Sequence, residues 1–443
     1  MGRYNPPQLL ILSFLSVIFI GAAVLSLPVS SAGPEKMSAI DSLFTATSAT
    51  CVTGLAVKDT GSAFSPFGRW VIFFLFQAGG LGIMTFSTLF AVLLGRKIGF
   101  HETDVIKRTL DGQNILGLKK LFAYILGITI IAETAGATFL FFRWRAVTDW
   151  SIPLTIERAV FHSVSAFCNA GFSLFRDSFT RFGADPVINL TMILLIFLGG
   201  IGFIVIMDVL GVFYNRKTIR KISLQTKLVF AVSVTLIIVG AVLIFLFERG
   251  YLMKDMSFSQ RFFGSLFQSV TARTAGFNSL PVGELSVPSL TLITFLMFIG
   301  ASPGSTGGGI KTCTMAVIAA TVFGMLGNRK RVMIFSRSIP RDIIREAMAI
   351  FFLALAWIFV FTMLIAYSEG DRTLIKPLFE VVSAFGTVGL STGITAGLNS
   401  FSKLCIILTM FAGRVGPLTL MLAVAFKERK ESYIFPEEDI MVG

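Results

Sequence analysis

Four short stretches of this 443-residue chain could do chemistry with the backbone alone. They read Phe44-Thr-Ala-Thr-Ser-Ala-Thr-Cys-Val-Thr-Gly54, Phe161-His-Ser-Val-Ser-Ala-Phe-Cys-Asn-Ala-Gly171, Phe267-Gln-Ser-Val-Thr-Ala-Arg-Thr-Ala-Gly276 and Phe379-Glu-Val-Val-Ser-Ala-Phe-Gly-Thr-Val-Gly389. Their closing glycines are 117, 105 and 113 residues apart. A short helix that ends in a glycine-containing turn points carbonyl oxygens, and the negative end of its dipole, at one place. Four around an axis make a cage of oxygens that can replace a cation's hydration shell. The candidate ligands are the main-chain oxygens of Cys51, Val52, Thr53 and Gly54, of Cys168, Asn169, Ala170 and Gly171, of Arg273, Thr274, Ala275 and Gly276, and of Gly386, Thr387, Val388 and Gly389. Glycine closes each stretch because a residue without a side chain can take the required backbone angles and leave the axis open. Small residues also let helices pack closely; that explains one such stretch better than four in phase.

Side-chain chemistry has less to work with. Glu133 and Asp208 are the acids inside long apolar runs, and no His or Cys accompanies them at metal-ligand spacing. His101 and His162 are isolated and are read as loop or core residues. Cys51, Cys168, Cys313 and Cys405 lack the paired spacing of a disulfide frame or zinc site and are read as free thiols in packed interior. Asp41 and Glu157 are read as acids opening short helices, at the positive end of the dipole. The third stretch is one residue shorter from Phe to Gly, and Arg273 stands where the first two have Cys51 and Cys168. The pore is therefore expected to fall short of fourfold symmetry, with the Arg273 head group tied behind its loop, away from the axis.

The elements that must carry these stretches belong in lipid. The chain is 54% apolar and 14% charged with a mean hydropathy of +0.80, against about 45–50% and about 25% for a soluble domain. Long apolar runs at 8–27, 67–94, 119–142, 187–213, 226–247, 288–326, 343–367 and 400–426 approach or exceed the roughly 20 residues needed to cross about 30 Å of hydrocarbon. Eight spans are expected, the first following the short Met1–Gln8 leader, whose apolar run is too long for a signal-peptide core. Each of the four stretches lies between two of these runs and is too short to cross, so it is read as re-entrant. Irregular backbone at that depth survives only where protein buries it or it lines water. The expected fold is all-α integral membrane: four parallel units of span, re-entrant pore helix with filter loop, and span, pseudo-fourfold around one pore. The units are 1–110, 111–220, 221–335 and 336–426, followed by a tail over 427–443. The 46 Phe are read as lipid-facing bulk.

A second motif repeats in phase within the second span of every unit: Phe76-Gln-Ala-Gly79-Gly80, Phe197-Leu-Gly199-Gly200, Phe298-Ile-Gly300-Ala301 and Phe411-Ala-Gly413-Arg414. Lying mid-span without a preceding strand, these glycines fit close packing better than a dinucleotide loop. The net charge of +13 is unevenly placed. The N-terminus, the loops 95–120, 214–227 and 327–346 and the tail hold 21 Lys or Arg against 10 acids; the opposite face holds 15 against 13. The positive-inside rule then puts both termini in the cytoplasm of a multi-pass plasma-membrane protein. This accounts for the basic excess without nucleic acid, although 214–227 and 327–346 also suit a cytoplasmic partner or anionic lipid.

One second span contains its own interruption. The 288–326 run is broken by Ala301-Ser-Pro-Gly-Ser-Thr-Gly-Gly-Gly-Ile-Lys-Thr312. Pro303 cannot continue the helix hydrogen bonding, and each glycine costs about 1 kcal/mol of helix propensity. A long break is expected in this unit alone. Gly304, Ser305, Thr306, Gly307, Gly308, Gly309 and Lys311 are the candidate gate residues, together with Arg414 at the matching register of the last unit. A charge at that depth must face water or a partner. Arg414 is expected to hold carbonyls of the broken loop; an anchor on Asp208 or Glu133 is the alternative. Lys311 is either part of the gate or snorkels to the interface.

At these residues the chain resembles the Trk/Ktr/HKT superfamily of potassium transporters, most closely the bacterial Ktr membrane subunit, over nearly its whole length. The resemblance rests on Gly54, Gly171, Gly276 and Gly389, on Gly386-Thr387-Val388-Gly389-Leu390, which is similar to the TVGYG run of potassium filters, on the 301–312 break, on Arg414 and on the tail Phe435–Gly443. Sodium-carrying plant relatives can have Ser at the first glycine, so Gly54 implies potassium preference. The resemblance also implies a homodimer with one pore per protomer, the tail as a dimer contact, and a cytoplasmic ring of nucleotide-binding regulatory subunits. The expected function is channel-like potassium uptake, with no cofactor in this chain beyond potassium itself and sodium as a second transported or activating ion. A secondary transporter of another solute would need broken helices in corresponding halves, and an enzyme would need clustered acid/base or metal groups at depth.

Overall fold

The computed structural model describes residues 6–33, 36–93, 115–214, 222–329, 331–370 and 373–424. His101, most of the 95–120 and 214–227 loops and the 427–443 tail lie outside the described residues. The helices fall into four successive groups: α1 (Pro6–Leu25), α2 (Ala39–Thr50) and α3 (Pro66–Leu93); α4 (Ile115–Val147), α5 (Ile152–Phe167), α6 (Pro186–Ile201) and α7 (Phe203–Tyr214); α8 (Leu224–Glu248), α9 (Phe258–Thr271), α10 (Val287–Phe298) and α11 (Thr312–Leu326); α12 (Arg341–Glu369), α13 (Ile375–Phe385), α14 (Ser400–Val415) and α15 (Pro417–Val424). A small antiparallel hairpin pairs Met333–Ile334 with Arg337–Ser338 in the loop between the third and fourth groups.

Among the described residues, Phe122–Val147 of α4, α8 and α12 are each long and apolar enough to cross a membrane, and α6 with α7 up to Val212 is long and apolar enough when the bent pair is taken together. With α1 and α3 at 20 and 28 residues, these lengths meet the roughly 20 residues a crossing needs. The middle helix of each group is shorter: α2, α5, α9 and α13 have 12, 16, 14 and 11 residues, about 16–24 Å of rise, which stops short of the far interface. Their starts are fixed locally. Ser38 accepts from Asp41 N at α2, and Ser257 with Gln260 forms a capping box at α9. Asp41 does sit in the first turn of α2 and also carries Lys403 at 2.7 Å. Glu157 does not open α5: it lies beyond the first turn and pairs with Arg69 at 3.2 Å, because Ser151 and Pro153 already define that start.

The second span of the third group is interrupted over 299–311, as its glycines and proline require. The breaks are not confined to it. α6 and α7 meet at 99°, with Gly202 at φ 94° between them, and α14 gives way to α15 at Gly416, φ 91°. Both glycines stand three residues after the in-phase glycines Gly199 and Gly413, in a backbone region that ends a helix and that side chains disfavour. Pro417, without an N–H, reinforces the second stop.

Phenylalanine is divided between two environments. Phe19, Phe74, Phe139, Phe142 and Phe359 are exposed where lipid would lie, but Phe44, Phe76, Phe167, Phe267, Phe379 and Phe385 are fully buried around the half-crossing helices. The expectation of lipid-facing bulk therefore holds for only part of the set. The repeated Phe that begins each stretch anchors its short helix in the protein core, and Phe161 is likewise only 3% exposed.

Candidate functional site

The four short helices end in turns that share one backbone course. Val52, Asn169, Thr274 and Thr387, two residues before each closing glycine, all have positive φ, at 56°, 56°, 71° and 50°. The glycines follow at 90°, 70°, 79° and 91°. Thr53 N bonds Ser48 O at 2.8 Å, Ala170 N bonds Ser165 O at 2.7 Å and Val388 N bonds Ser383 O at 2.8 Å. These bonds fold the turn back under its helix. Ser48 and Ser383 also accept from Gly54 N and Gly389 N, each at 3.1 Å. The third turn, one residue shorter, instead brings both Ala275 N and Gly276 N to Thr271 O, at 3.0 and 3.4 Å. Positive φ at four non-glycine residues is uncommon and marks turns held by their surroundings.

These turns meet. A Cβ on Gly54 would fall 2.6 Å from Ala170 O and 2.8 Å from Gly171 Cα; one on Gly171 would fall 2.8 Å from Ala275 O and 3.2 Å from Gly276 Cα. One on Gly276 would overlap Val388 O and lie 3.1 Å from Gly389 Cα, and one on Gly389 would overlap Thr53 O and lie 3.0 Å from Gly54 Cα. Each glycine thus abuts the next, in the cyclic order 54, 171, 276, 389 and back to 54. Four stretches more than a hundred residues apart close a ring around one axis.

Residues behind the ring hold it from outside. Cys51, Cys168 and Gly386 cap their helices, and the Cys168 thiol donates to Gln77 Oε1 at 3.0 Å while Gln77 Nε2 donates to Glu133 Oε1 at 3.1 Å. Arg273, buried, donates to Ser233 O of α8 at 3.4 Å, and its surroundings include Ile196, Phe197 and Ile237. Its head group therefore lies behind the third turn. The second set of glycines packs as close-contact residues: a Cβ on Gly79, Gly199 or Gly413 would overlap Thr50 O, Phe167 O or Phe385 O at the end of the short helix of its own group. All four cysteines are free; Cys51, Cys168 and Cys405 are buried and Cys313 is half-buried.

The 301–312 segment lies against this ring. Gly308 N donates to Thr387 Oγ1 at 2.9 Å, and a Cβ on Gly307 would overlap Thr274 Oγ1. The segment is pinned to the second group by Ser302 N to Gly200 O at 3.0 Å, Thr306 N to Gly199 O at 3.2 Å and Phe203 N to Gly304 O at 2.9 Å. It reaches the fourth group through Gly309 N to Gly413 O at 3.1 Å. Ser305 turns back on Ser302 O at 2.6 Å, and Lys311 Nζ donates to Gly307 O at 2.8 Å. Arg414, 3% exposed, donates from one terminal nitrogen to Thr306 O and from the other to Gly79 O. Its candidate acid partners are engaged elsewhere: Glu133 with Gln77, and Asp208 with Ser223 N at 2.9 Å and Thr226 Oγ1 at 2.8 Å. Composition shows a buried charge; its carbonyl partners exist only once the four groups converge.

Fold and site together define an integral membrane protein in which four half-crossing helices present their turns to one central axis. Comparison with known proteins places it further. The TrkH model, described as cation transport protein, matches residues 5–434. Ktr system potassium uptake protein B of Bacillus subtilis (strain 168) is 39% identical over 443 residues, covering 100% of this chain and 97% of that protein. The protein of the same name from Vibrio alginolyticus is 37% identical, covering 100% and 96%, and potassium/sodium uptake protein NtpJ of Enterococcus hirae is 36% identical, covering 100% and 98%. The crystal structure of the potassium transporter TrkH from Vibrio parahaemolyticus shares the fold with a TM-score of 0.72 at 20% identity, over 96% of this chain and 86% of that one. The chain belongs to the TrkH family of cation transport proteins.

Proposed function

We propose that this chain is the pore-forming protein of a potassium uptake system, in which the ion exchanges hydration water for main-chain oxygens of the turns ending at Gly54, Gly171, Gly276 and Gly389. The supporting observation is the closed ring of those glycines, each blocked from carrying a side chain by its neighbour. Oriented carbonyls at that ring suit a weakly hydrated monovalent cation, and the potassium uptake names of relatives matched end to end support the choice of ion. Sodium is the second ion to consider, given the potassium/sodium uptake protein among them. The segment 301–312 and Arg414 act as the gate, since they cover the ring and join all four groups. With both termini cytoplasmic in the plasma membrane, an inside-negative potential favours entry by about 2.3 kcal/mol per 100 mV. Two copies of the chain and a cytoplasmic ring of nucleotide-binding subunits complete the system, in keeping with the word "system" in the relatives' names.

A mid-membrane solute carrier is the second reading, favoured by the matching breaks at Gly202 and Gly416 in the second and fourth groups. Gly202, however, packs against Pro303 O, so the pore-covering segment fills the space beside that break. The deciding experiment is rubidium and sodium flux into proteoliposomes. Gly54→Ser and Gly389→Ser are each expected to reduce rubidium over sodium discrimination. Equal flux for wild type and both variants, without competition by potassium, would overturn the pore assignment.

A further inference from the structure

The second and fourth groups carry a device that the first and third lack. In the second group, His162 follows the repeated Phe161 on α5 and lies fully buried, stacked on Phe175 at 4.5 Å. Its Nδ1 meets Arg158 O at 2.7 Å, so Nδ1 donates, and Nε2 accepts from Leu174 N at 3.1 Å. Ser173 Oγ also stands 3.1 Å from Nε2 and accepts from Phe175 N at 3.0 Å. In the fourth group, Glu380 follows Phe379 on α13 and is fully buried. Its Oε1 accepts from Ser391 Oγ, Thr392 N and Thr392 Oγ1 at 2.8, 2.8 and 3.0 Å, and its Oε2 accepts from Thr395 Oγ1 at 2.6 Å. Ser391 Oγ in turn accepts from Gly393 N at 2.9 Å.

The registers coincide. Ser173 and Ser391 stand two residues after Gly171 and Gly389, and Leu174 and Thr392 stand three after. The same three links, from short-helix side chain to serine, from short-helix side chain to the third N–H, and from serine to the N–H two further on, are thus built twice from different residue types. In the first group the equivalent Thr45 turns back to Asp41 O at 2.8 Å. In the third group, Gln268 has no side-chain partner. Since the ring order is 54, 171, 276, 389, the two equipped groups face each other across the axis.

We infer that His162 and Glu380 are positioning residues for ion selection: they clamp the two opposed strands leaving the ring and so fix where the carbonyls of Gly171 and Gly389 point. The inference deepens the filter assignment above and rests on it. It predicts that the outer mouth is twofold in stiffness although the chain repeats fourfold, and that loss of either clamp loosens selection for the dehydrated ion more than it lowers total flux.

The test is competitive rubidium and sodium flux into proteoliposomes with the full-length chain. His162→Phe keeps the aromatic stack and Glu380→Met keeps the length; Phe offers the third N–H no acceptor and Met only a weak sulfur one. Each is expected to lower rubidium over sodium discrimination by about three- to tenfold, the range for one or two lost hydrogen bonds. His162→Gln and Glu380→Gln retain an acceptor and are expected to stay within about twofold of wild type, a rescue that fold maintenance alone does not predict. Thr45→Val, at the unclamped position, should leave discrimination unchanged. Should the apolar variants fail to fold, Ser173→Ala and Ser391→Ala decide the matter: reduced discrimination supports the clamps and wild-type discrimination overturns them. If the apolar variants select like wild type while Gly389→Ser does not, the clamps fall and the filter stands; if Gly389→Ser is silent as well, the filter falls with them.

Discussion

Arg414 is the residue whose sequence position and surroundings say most about gating. A guanidinium at membrane depth persists only with partners, and here these are two main-chain oxygens, Thr306 O in the segment covering the ring and Gly79 O in α3. Both groups are neutral, so the contact can break without stranding an opposite charge. Arg414→Ala leaves the buried Thr306 carbonyl without a donor, at about 1–3 kcal/mol, while Gly79 O keeps its place in the α3 helix; that is enough to shift a closed and open balance about tenfold toward open. Basal rubidium flux is expected to rise; unchanged flux with unchanged open probability in single-channel records would remove Arg414 from the gate. Arg414→Lys keeps the charge but not the fork that spans both oxygens, and should fall nearer the alanine variant than wild type. The presence of a buried charge was legible in the sequence because so apolar a run rarely holds one. Its partners were not, because Gly79 and Thr306 offer only backbone, and backbone acceptors carry no residue-type signal.

Elements show the same division between what pattern encodes and what packing adds. The half-crossing helices were legible from length and the repeated Phe and Gly, and the 299–311 break from its glycines and proline. Gly202 and Gly416 were overlooked as breaks because a lone glycine within an apolar run is usually tolerated, although Gly416-Pro417 is a stop signal in its own right. The burial of Phe44, Phe76, Phe267 and Phe379 was equally invisible, since composition cannot tell a ring against lipid from one against protein. The two missed glycines make a contrasting pair. Both adopt backbone angles near φ 90° and ψ 140°, essentially closed to other residues at about 1–3 kcal/mol. Around Gly416 the space for a Cβ is open, with Thr419 Oγ1 3.8 Å away, whereas on Gly202 it would lie 2.6 Å from Pro303 O. Gly416→Ala should therefore lower the thermal midpoint with flux nearly preserved. Gly202→Ala should lower it further and raise flux by dislodging the 301–312 segment. Identical flux in the two variants would mean that the Gly202 contact does not restrain the gate.

At the scale of the whole molecule, a fourfold repeat is put to uses that are not fourfold. One group has the long break that covers the ring, two opposed groups have the clamps, and another supplies the oxygen that Arg414 holds through Gly79. Such a division needs the groups to keep fixed places around the axis, and the alternation of crossings is expected to set the Met333–Ser338 hairpin between α11 and α12 on one face and the Glu248–Phe258 turn joining α8 to α9 on the other. The termini and loops grouped with the hairpin in the sequence carry 21 Lys or Arg against 10 acids and the remaining loops 15 against 13, from which the positive-inside rule predicts a cytoplasmic hairpin. Orientation matters to mechanism because it decides whether the 301–312 segment meets potassium after or before the ring, and so whether it controls release to the cytoplasm or access from outside. Exposed Ser338 and Lys254 report on the two faces, and the native background is low because three of the four cysteines are buried and Cys313 is half-buried. In intact cells a membrane-impermeant maleimide should label Lys254→Cys and leave Ser338→Cys unlabelled until the membrane is permeabilised. The opposite pattern would place the hairpin outside, reverse the direction in which the segment meets the ion, and make it an entry barrier rather than an inner gate.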